Sequence, residues 1–136
     1  EYFEEPIKAP NRYKLEKIKD INIAIDESIY MNNNYHQWME AGLINTVIIK
    51  PSIWGGFKKF NRLIKQCKKH SVKIVLSSAL ENSIGNMAII QLAAALDNHI
   101  SHGLNIYYFY DCFLSQPIYK KNQSNINLDN INGLGI

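Results

Sequence analysis

The chain has 136 residues, of which 46% are hydrophobic and 20% are charged, a composition typical of one globular domain and not of a disordered segment. The formal net charge of +3 is too small, and the basic residues are too scattered, to indicate nucleic-acid binding. Two cysteines without metal-ligand spacing and no apolar run of about 18 residues argue against a disulfide framework and a membrane span, so we expect a cytoplasmic location.

Short β-branched apolar runs alternate with longer amphipathic segments along the chain. Strands separated by helices favour an α/β fold with a parallel sheet. The strand runs are apolar at consecutive positions, as expected when both faces of a sheet are covered. The opening residues, EYFEEP, are typical of the end of a first strand. The remaining predicted elements are a strand at 21–25, a helix at 32–43, a strand at 45–50, a helix at 55–70, a strand at 72–78, a helix at 83–98 and a strand at 103–109.

Polar residues stand at one end of each predicted strand. Glu4, Asp26, Lys50 and Ser77 close four strands, and Gly103 opens the last one. These positions recur about every 25 residues, close to the ~30 residues per unit of a (β/α)8 barrel, whose active sites lie at the carboxyl ends of the strands. An open doubly wound sheet places ligands at a switch point only. The pattern therefore favours part of a barrel over an open sheet.

The first three polar strand ends each have two interpretations. Glu4 and Asp26 could be acid and base or ligands of Mg²⁺, which prefers carboxylate oxygens; they could also be a surface acid and a helix cap. Lys50 follows a buried strand, and burying an unpaired ammonium is costly. It either extends to the rim of the sheet or places a cation where an anion forms.

The segment LSSALENSIG, residues 76–85, joins a strand end to a helix. Backbone N–H groups at such a helix start can bind a carboxylate, with Ser77 and Ser78 beside them. Simple N-capping by Asn82 or Ser83 is equally consistent with the residues.

The helix at 55–70 is expected to be structural. The WGG sequence before it, at 54–56, predicts a flexible turn from strand to helix. Its lysines fit a solvated face. Its opposite, apolar face is expected to consist of Phe57, Phe60, Leu63, Ile64 and Cys67.

Five motifs together resemble one enzyme family. In chain order they are YFEEP, IAIDES, VIIKPSIWGG, LSSALENSIG and HGLNIYYF, and they resemble the o-succinylbenzoate synthases of the enolase superfamily. The resemblance implies the C-terminal half of a (β/α)7β TIM-like barrel, strands 4 to 8. Residues 1–136 would then be a partial barrel domain, without the N-terminal capping domain and first barrel strands, in which 115–136 form a loop and closing segment.

The resemblance also implies roles for the strand-end residues. The bound metal would be Mg²⁺, with Mn²⁺ as a substitute. Glu27 and Ser28, which follow Asp26, are expected to be loop residues. The family's general base, a lysine of a K-x-K motif, and its first metal carboxylate belong to earlier strands that this sequence lacks. The implied roles are metal ligands at Glu4 and Asp26, a catalytic cation at Lys50, and substrate binding at Ser77, Ser78 and Gly103.

The implied activity is the dehydration of 2-succinyl-6-hydroxy-2,4-cyclohexadiene-1-carboxylate to 2-succinylbenzoate in menaquinone biosynthesis. Two alternatives stay open: an N-acylamino acid racemase or dipeptide epimerase of the same superfamily, and an inactive partial-barrel fragment. The expected partners are a small-molecule carboxylate substrate and the rest of the barrel, with neither nucleic acid nor membrane among them.

Overall fold

The computed structural model describes most of the chain as helices, strands and their connections. It describes residues 1–7, 14–15, 18, 20–31, 34–96, 99–105, 125–129, 131 and 133–134. Contacts divide the chain into two compact units, Glu1–Val75 and Leu76–Ile136. The elements in chain order are β1 (Phe3–Glu4), β2 (Ile23–Ile25), α1 (Glu27–Met31), α2 (Tyr35–Glu40), β3 (Thr46–Ile49), α3 (Pro51–Trp54), α4 (Phe57–Lys69), β4 (Lys73–Leu76) and α5 (Ser83–Ala95).

The strands form one sheet in the order β1-β2-β3-β4. Glu4 is paired with Ala24, and Ala24 with Thr46, in parallel register. All residues of β2 and β3 are buried, which is why these strands are apolar at consecutive positions. The predicted α/β class with a parallel sheet is therefore confirmed, whereas the numbering of the strands within a barrel stays a prediction.

The main differences between the predicted and the observed helices concern α1, α2 and α3. α2 is shorter than the helix predicted at 32–43, and α1 and α3 were not predicted. α3 is set off from α4 by Gly55 and Gly56, whose φ angles are 96° and 90°. Because these left-handed angles suit glycine, the WGG sequence makes a sharp break possible between two helices.

The apolar face of α4 is largely as predicted. Phe60, Leu63 and Cys67 are at most 1% exposed, and burial raises the pKa of the Cys67 thiol to about 12. Ile64 is half-buried. The prediction was wrong for Phe57, which is 68% exposed because it occupies the first position of the helix.

The second unit contains α5 and the segment around Gly103. Asn82 caps α5, and its side-chain Oδ1 accepts a hydrogen bond of 2.9 Å from the Gly85 N–H, as one of the two interpretations of this segment predicted. Most of the strand predicted at 103–109 and of the closing segment at 115–136 lies outside the described residues. In the described part of the chain, no helix is both long and apolar enough to cross a bilayer.

Candidate metal and catalytic site

Three polar residues predicted to act at strand ends occupy neighbouring positions in the first unit. Glu4 is the last residue of β1, Asp26 follows β2 and Lys50 follows β3. Since β1, β2 and β3 are parallel and adjacent, their carboxyl ends meet at one edge of the sheet. The parallel register therefore brings together the two carboxylates and the lysine.

Asp26 and Lys50 form an ion pair that uses only one of the two carboxylate oxygens of Asp26. The Lys50 Nζ donates to Asp26 Oδ2, and Glu27 Oε1 lies 3.7 Å from the same nitrogen. Asp26 is 5% exposed, and its Oδ1 is buried without a hydrogen-bond partner. Burial raises the pKa of Asp26, and the hydrogen bond and charge of Lys50 oppose this rise. A buried acceptor without a donor is costly, and a cation would satisfy it.

Glu4 adds a second carboxylate, and its pKa responds to the charge of Asp26. Partial burial raises the pKa of Glu4, and repulsion from Asp26 and Glu27 raises it further. A carboxylate whose pKa is raised by neighbouring carboxylates favours a bound cation, because the cation relieves the repulsion. Hard oxygen donors of this kind suit Mg²⁺ or Mn²⁺. Glu4 and Asp26 therefore fit two ligands of such an ion.

Two carboxylates alone do not complete a metal cage. In the ranges that the structure describes, no group of three or more histidine, cysteine, aspartate or glutamate side chains stands in metal-binding geometry. Mg²⁺ is commonly held by one or two protein carboxylates together with water and substrate oxygens. The donor set therefore suits Mg²⁺ better than it suits a structural zinc, which requires four protein ligands.

Glu27 and Ser28 are not loop residues, so that prediction was wrong. They begin α1 directly after Asp26, and Ser28 is fully buried. Glu5 is the reason: its Oε1 accepts hydrogen bonds from the backbone N–H of Asp26 at 2.9 Å and of Ser28 at 2.8 Å. The Ser28 hydroxyl also donates to the Glu5 carboxylate. These bonds replace the intrahelical partners that the first N–H groups of a helix lack.

Tyr30 is a site neighbour that the sequence did not reveal. The Lys50 backbone N–H donates to the Tyr30 hydroxyl at 2.7 Å, and the Tyr30 ring meets Trp54 edge to face at a centroid distance of 5.6 Å. Burial raises the pKa of Tyr30 to about 12, so the hydroxyl stays protonated. A tyrosine four residues after a strand-end aspartate carries no recognisable signal, because the contact depends on how α1 lies beside β3.

The three residues predicted to bind substrate lie together in the second unit. Ser77 and Gly103 form a parallel β-bridge, and the Ser78 N–H donates to the Gly103 carbonyl at 2.9 Å. A Cβ on Gly103 would lie 3.4 Å from the Ser77 hydroxyl oxygen, an ordinary van der Waals contact. The Ser78 hydroxyl donates to Glu81, whose Oε2 also accepts from the Ala79 N–H at 2.9 Å. Ser78 thus stabilises the turn through its hydroxyl and the bridge through its N–H, which leaves Ser77 as the better candidate for a ligand contact.

His102 belongs to the same segment. Its Nδ1 accepts a hydrogen bond of 3.0 Å from the Leu76 backbone N–H, and burial lowers its pKa. A neutral imidazole that accepts a backbone hydrogen bond orients the segment before Gly103.

Comparison with known proteins establishes the class. The enolase C-terminal domain-like family model matches residues 1–136, so the chain belongs to that family. Among curated relatives, the o-succinylbenzoate synthase of Haemophilus influenzae is 30% identical over 106 residues, which are 77% of this chain and 32% of that protein. The o-succinylbenzoate synthase of Thermobifida fusca is 32% identical over 97 residues, which are 71% of this chain and 30% of that protein. The chain thus spans about a third of the length of these relatives.

Solved structures show the same fold. MenC from Desulfotalea psychrophila superimposes with a TM-score of 0.68 at 22% identity, covering 92% of this chain and 35% of that one. An enolase from Pseudomonas fluorescens, solved with bound magnesium, potassium and tartrate, gives a TM-score of 0.57 at 21% identity, covering 72% of this chain and 23% of that one. At these identities the likeness extends to the fold alone.

Proposed function

We propose that the protein containing this chain is an o-succinylbenzoate synthase, which dehydrates 2-succinyl-6-hydroxy-2,4-cyclohexadiene-1-carboxylate to 2-succinylbenzoate. The observation that carries the proposal is the pairing of Lys50 with Asp26 beside an unsatisfied, buried carboxylate oxygen at the carboxyl ends of adjacent parallel strands. The relatives named for this activity are about 30% identical to the chain, which supports the choice of reaction within the family.

The reaction needs positive charge where negative charge develops. Removal of the proton α to the substrate carboxylate adds a second negative charge beside the first, and a base outside this chain takes that proton. The hydroxyl group then leaves the ring as water, with a proton, and the ring becomes aromatic. Fixed cations at the developing anion lower the barrier, because they interact more strongly with the transition state than with the substrate.

The residues of this chain would share that task. Glu4 and Asp26 would hold Mg²⁺, which as a Lewis acid stabilises negative charge on substrate oxygens. Lys50 would supply the second positive charge, at a partly buried position where Coulomb interactions are stronger than in water. Tyr30 would hold the Lys50 backbone in place.

Substrate binding would fall to the second group of residues. We assign Ser77, Ser78 and Gly103 to the carboxylate or succinyl end of the substrate. The Ser77 hydroxyl would be the main donor, because the Ser78 hydroxyl and the N–H groups of Ser78 and Gly103 already have partners. The rest of the barrel would supply the remaining carboxylate and the base.

The test compares Lys50→Ala with Lys59→Ala in the full-length protein. Lys59 is an exposed lysine of α4 and serves as the matched control. Formation of succinylbenzoate, followed by its ultraviolet absorbance, should require Mg²⁺ and should fall at least 100–1000-fold in Lys50→Ala, the size of effect seen when one oxyanion-stabilising group is removed. Full activity of Lys50→Ala would refute the proposal. Racemisation of N-acylamino acids or dipeptides without dehydration would assign the protein to the alternative activity.

A further inference from the structure

Glu5 leaves the path of β1 and turns toward the end of β2. Its N–H donates to the Ala24 carbonyl at 2.9 Å, which continues the ladder for one more bond. Its φ angle is +44°, a left-handed value that non-glycine residues adopt uncommonly. Such a conformation persists where surrounding contacts hold it, and it is found preferentially at functional sites. The contacts here are those of the Glu5 carboxylate.

The Glu5 carboxylate binds the backbone on both sides of Glu27. The Asp26 and Ser28 N–H groups converge on the same oxygen, at 2.9 and 2.8 Å. Hydrogen bonds to an ionised carboxylate are stronger than neutral ones. Together they define the backbone dihedral angles between the end of β2 and the start of α1, and these angles set the direction in which the Asp26 side chain leaves the chain.

Glu5 is poorly suited to bind a metal itself. One of its oxygens already accepts two N–H groups, and the Ser28 hydroxyl occupies the carboxylate as well. Asp26, in contrast, retains an oxygen without a partner. The two neighbouring glutamates therefore have different roles. Glu4, the last residue of β1, is available to bind a cation, whereas the carboxylate of Glu5 is hydrogen-bonded to the backbone.

We propose that Glu5 is a positioning residue, whose carboxylate orients Asp26 for metal binding through the Asp26 and Ser28 backbone N–H groups. The inference rests on the proposed metal site and extends it to the group that orients its ligand. Hydrogen-bonding partners of metal ligands typically contribute 10–100-fold to metal affinity. We expect an effect of that size for Glu5.

The experiment compares four full-length proteins: the wild type, Glu5→Ala, Glu5→Gln and the control Glu40→Ala. Mn²⁺ binding is measured directly from the free-ion signal in electron paramagnetic resonance. Glutamine keeps an oxygen that can accept both N–H groups, and its amide can donate to the Ser28 hydroxyl. Glu40 is an exposed glutamate of α2, so its replacement removes a carboxylate without removing these bonds.

Glu5→Ala should weaken Mn²⁺ binding about 10–100-fold, while Glu5→Gln and Glu40→Ala should stay within about threefold of the wild type. Amide hydrogen exchange at Asp26 and Ser28 should become faster in Glu5→Ala and stay slow in Glu5→Gln. Wild-type Mn²⁺ affinity in Glu5→Ala, or equal losses in the alanine and glutamine variants, would overturn the proposal.

A variant that shortens the side chain covers the case in which Glu5→Ala does not fold. Glu5→Asp keeps the charge but brings the carboxylate one methylene short of the two N–H groups, so about tenfold weaker Mn²⁺ binding is expected; unchanged binding would overturn the proposal. Failure of the proposed function gives a different result, since a wild type that makes no succinylbenzoate can still show the dependence of Mn²⁺ binding on Glu5.

Discussion

The ion pair between Asp26 and Lys50 allows a quantitative prediction about stability. Lys50→Met keeps most of the apolar length of the side chain and removes the ammonium. It leaves a carboxylate that is 5% exposed and whose Oδ1 already has no hydrogen-bond partner. Breaking a buried pair from one side costs about 3–5 kcal/mol. Because the Lys50 side chain is still 20% exposed, we expect the free energy of unfolding at neutral pH to fall by about 2–4 kcal/mol.

The pH dependence of this loss has a definite sign. Burial raises the pKa of Asp26 and Lys50 opposes that rise, so the pKa is higher still in Lys50→Met. A carboxyl whose folded-state pKa exceeds its unfolded-state pKa binds more protons when folded, so stability falls as pH rises between those two values. The difference in the free energy of unfolding between the wild type and Lys50→Met is therefore largest at neutral pH. It disappears as pH falls through the folded-state pKa of Asp26.

A double-mutant cycle measures the pair directly. Urea unfolding of the full-length protein, with metal removed by a chelator, is followed by tryptophan fluorescence for Asp26→Asn, Lys50→Met and the double variant. The double variant should be more stable than Lys50→Met, because it no longer buries an unpaired charge, with a coupling energy of about 1–3 kcal/mol. Excess Mg²⁺ should reduce the Lys50→Met deficit. Additivity within about 0.5 kcal/mol, or a deficit independent of pH, would refute the reasoning.

Two further variants test the surroundings of the site and the core. Tyr30→Phe keeps the edge contact with Trp54 but removes the oxygen that accepts a hydrogen bond from the Lys50 N–H. Thermal denaturation should show that the free energy of unfolding falls by about 1–3 kcal/mol. An unchanged melting temperature would contradict the role given to this hydrogen bond. Phe60→Ala should cost about 3–5 kcal/mol in urea unfolding, whereas the exposed Phe57→Ala should stay within about 0.5 kcal/mol; equal losses would show that their burial is misassigned.

The strands were predictable because their signal is local. The runs predicted at 45–50 and 72–78 contain β3 and β4, with ends that differ by one or two residues. Consecutive β-branched and aliphatic residues have few environments other than a strand covered on both faces. The polar strand ends were predictable for the same reason, since a buried run that stops at a charged residue marks the edge of the sheet.

The short helices were not predictable from periodicity. α1 and α3 have five and four residues, too few to show a repeat of 3.6. α1 exists because Glu5, about twenty residues earlier in the chain, binds its first N–H groups. Contacts over such a distance leave no trace in a local window.

The sequence by itself determined the α/β class, the positions of the strands along the chain and the polar residues at their ends, because each follows from the chemistry of neighbouring residues. Only the tertiary structure decided which of the two adjacent glutamates is committed to the backbone, and which oxygen of Asp26 remains without a partner. The physical reason is that parallel pairing joins residues twenty or more positions apart, and hydrogen-bond partners are assigned only once those residues are within reach of one another.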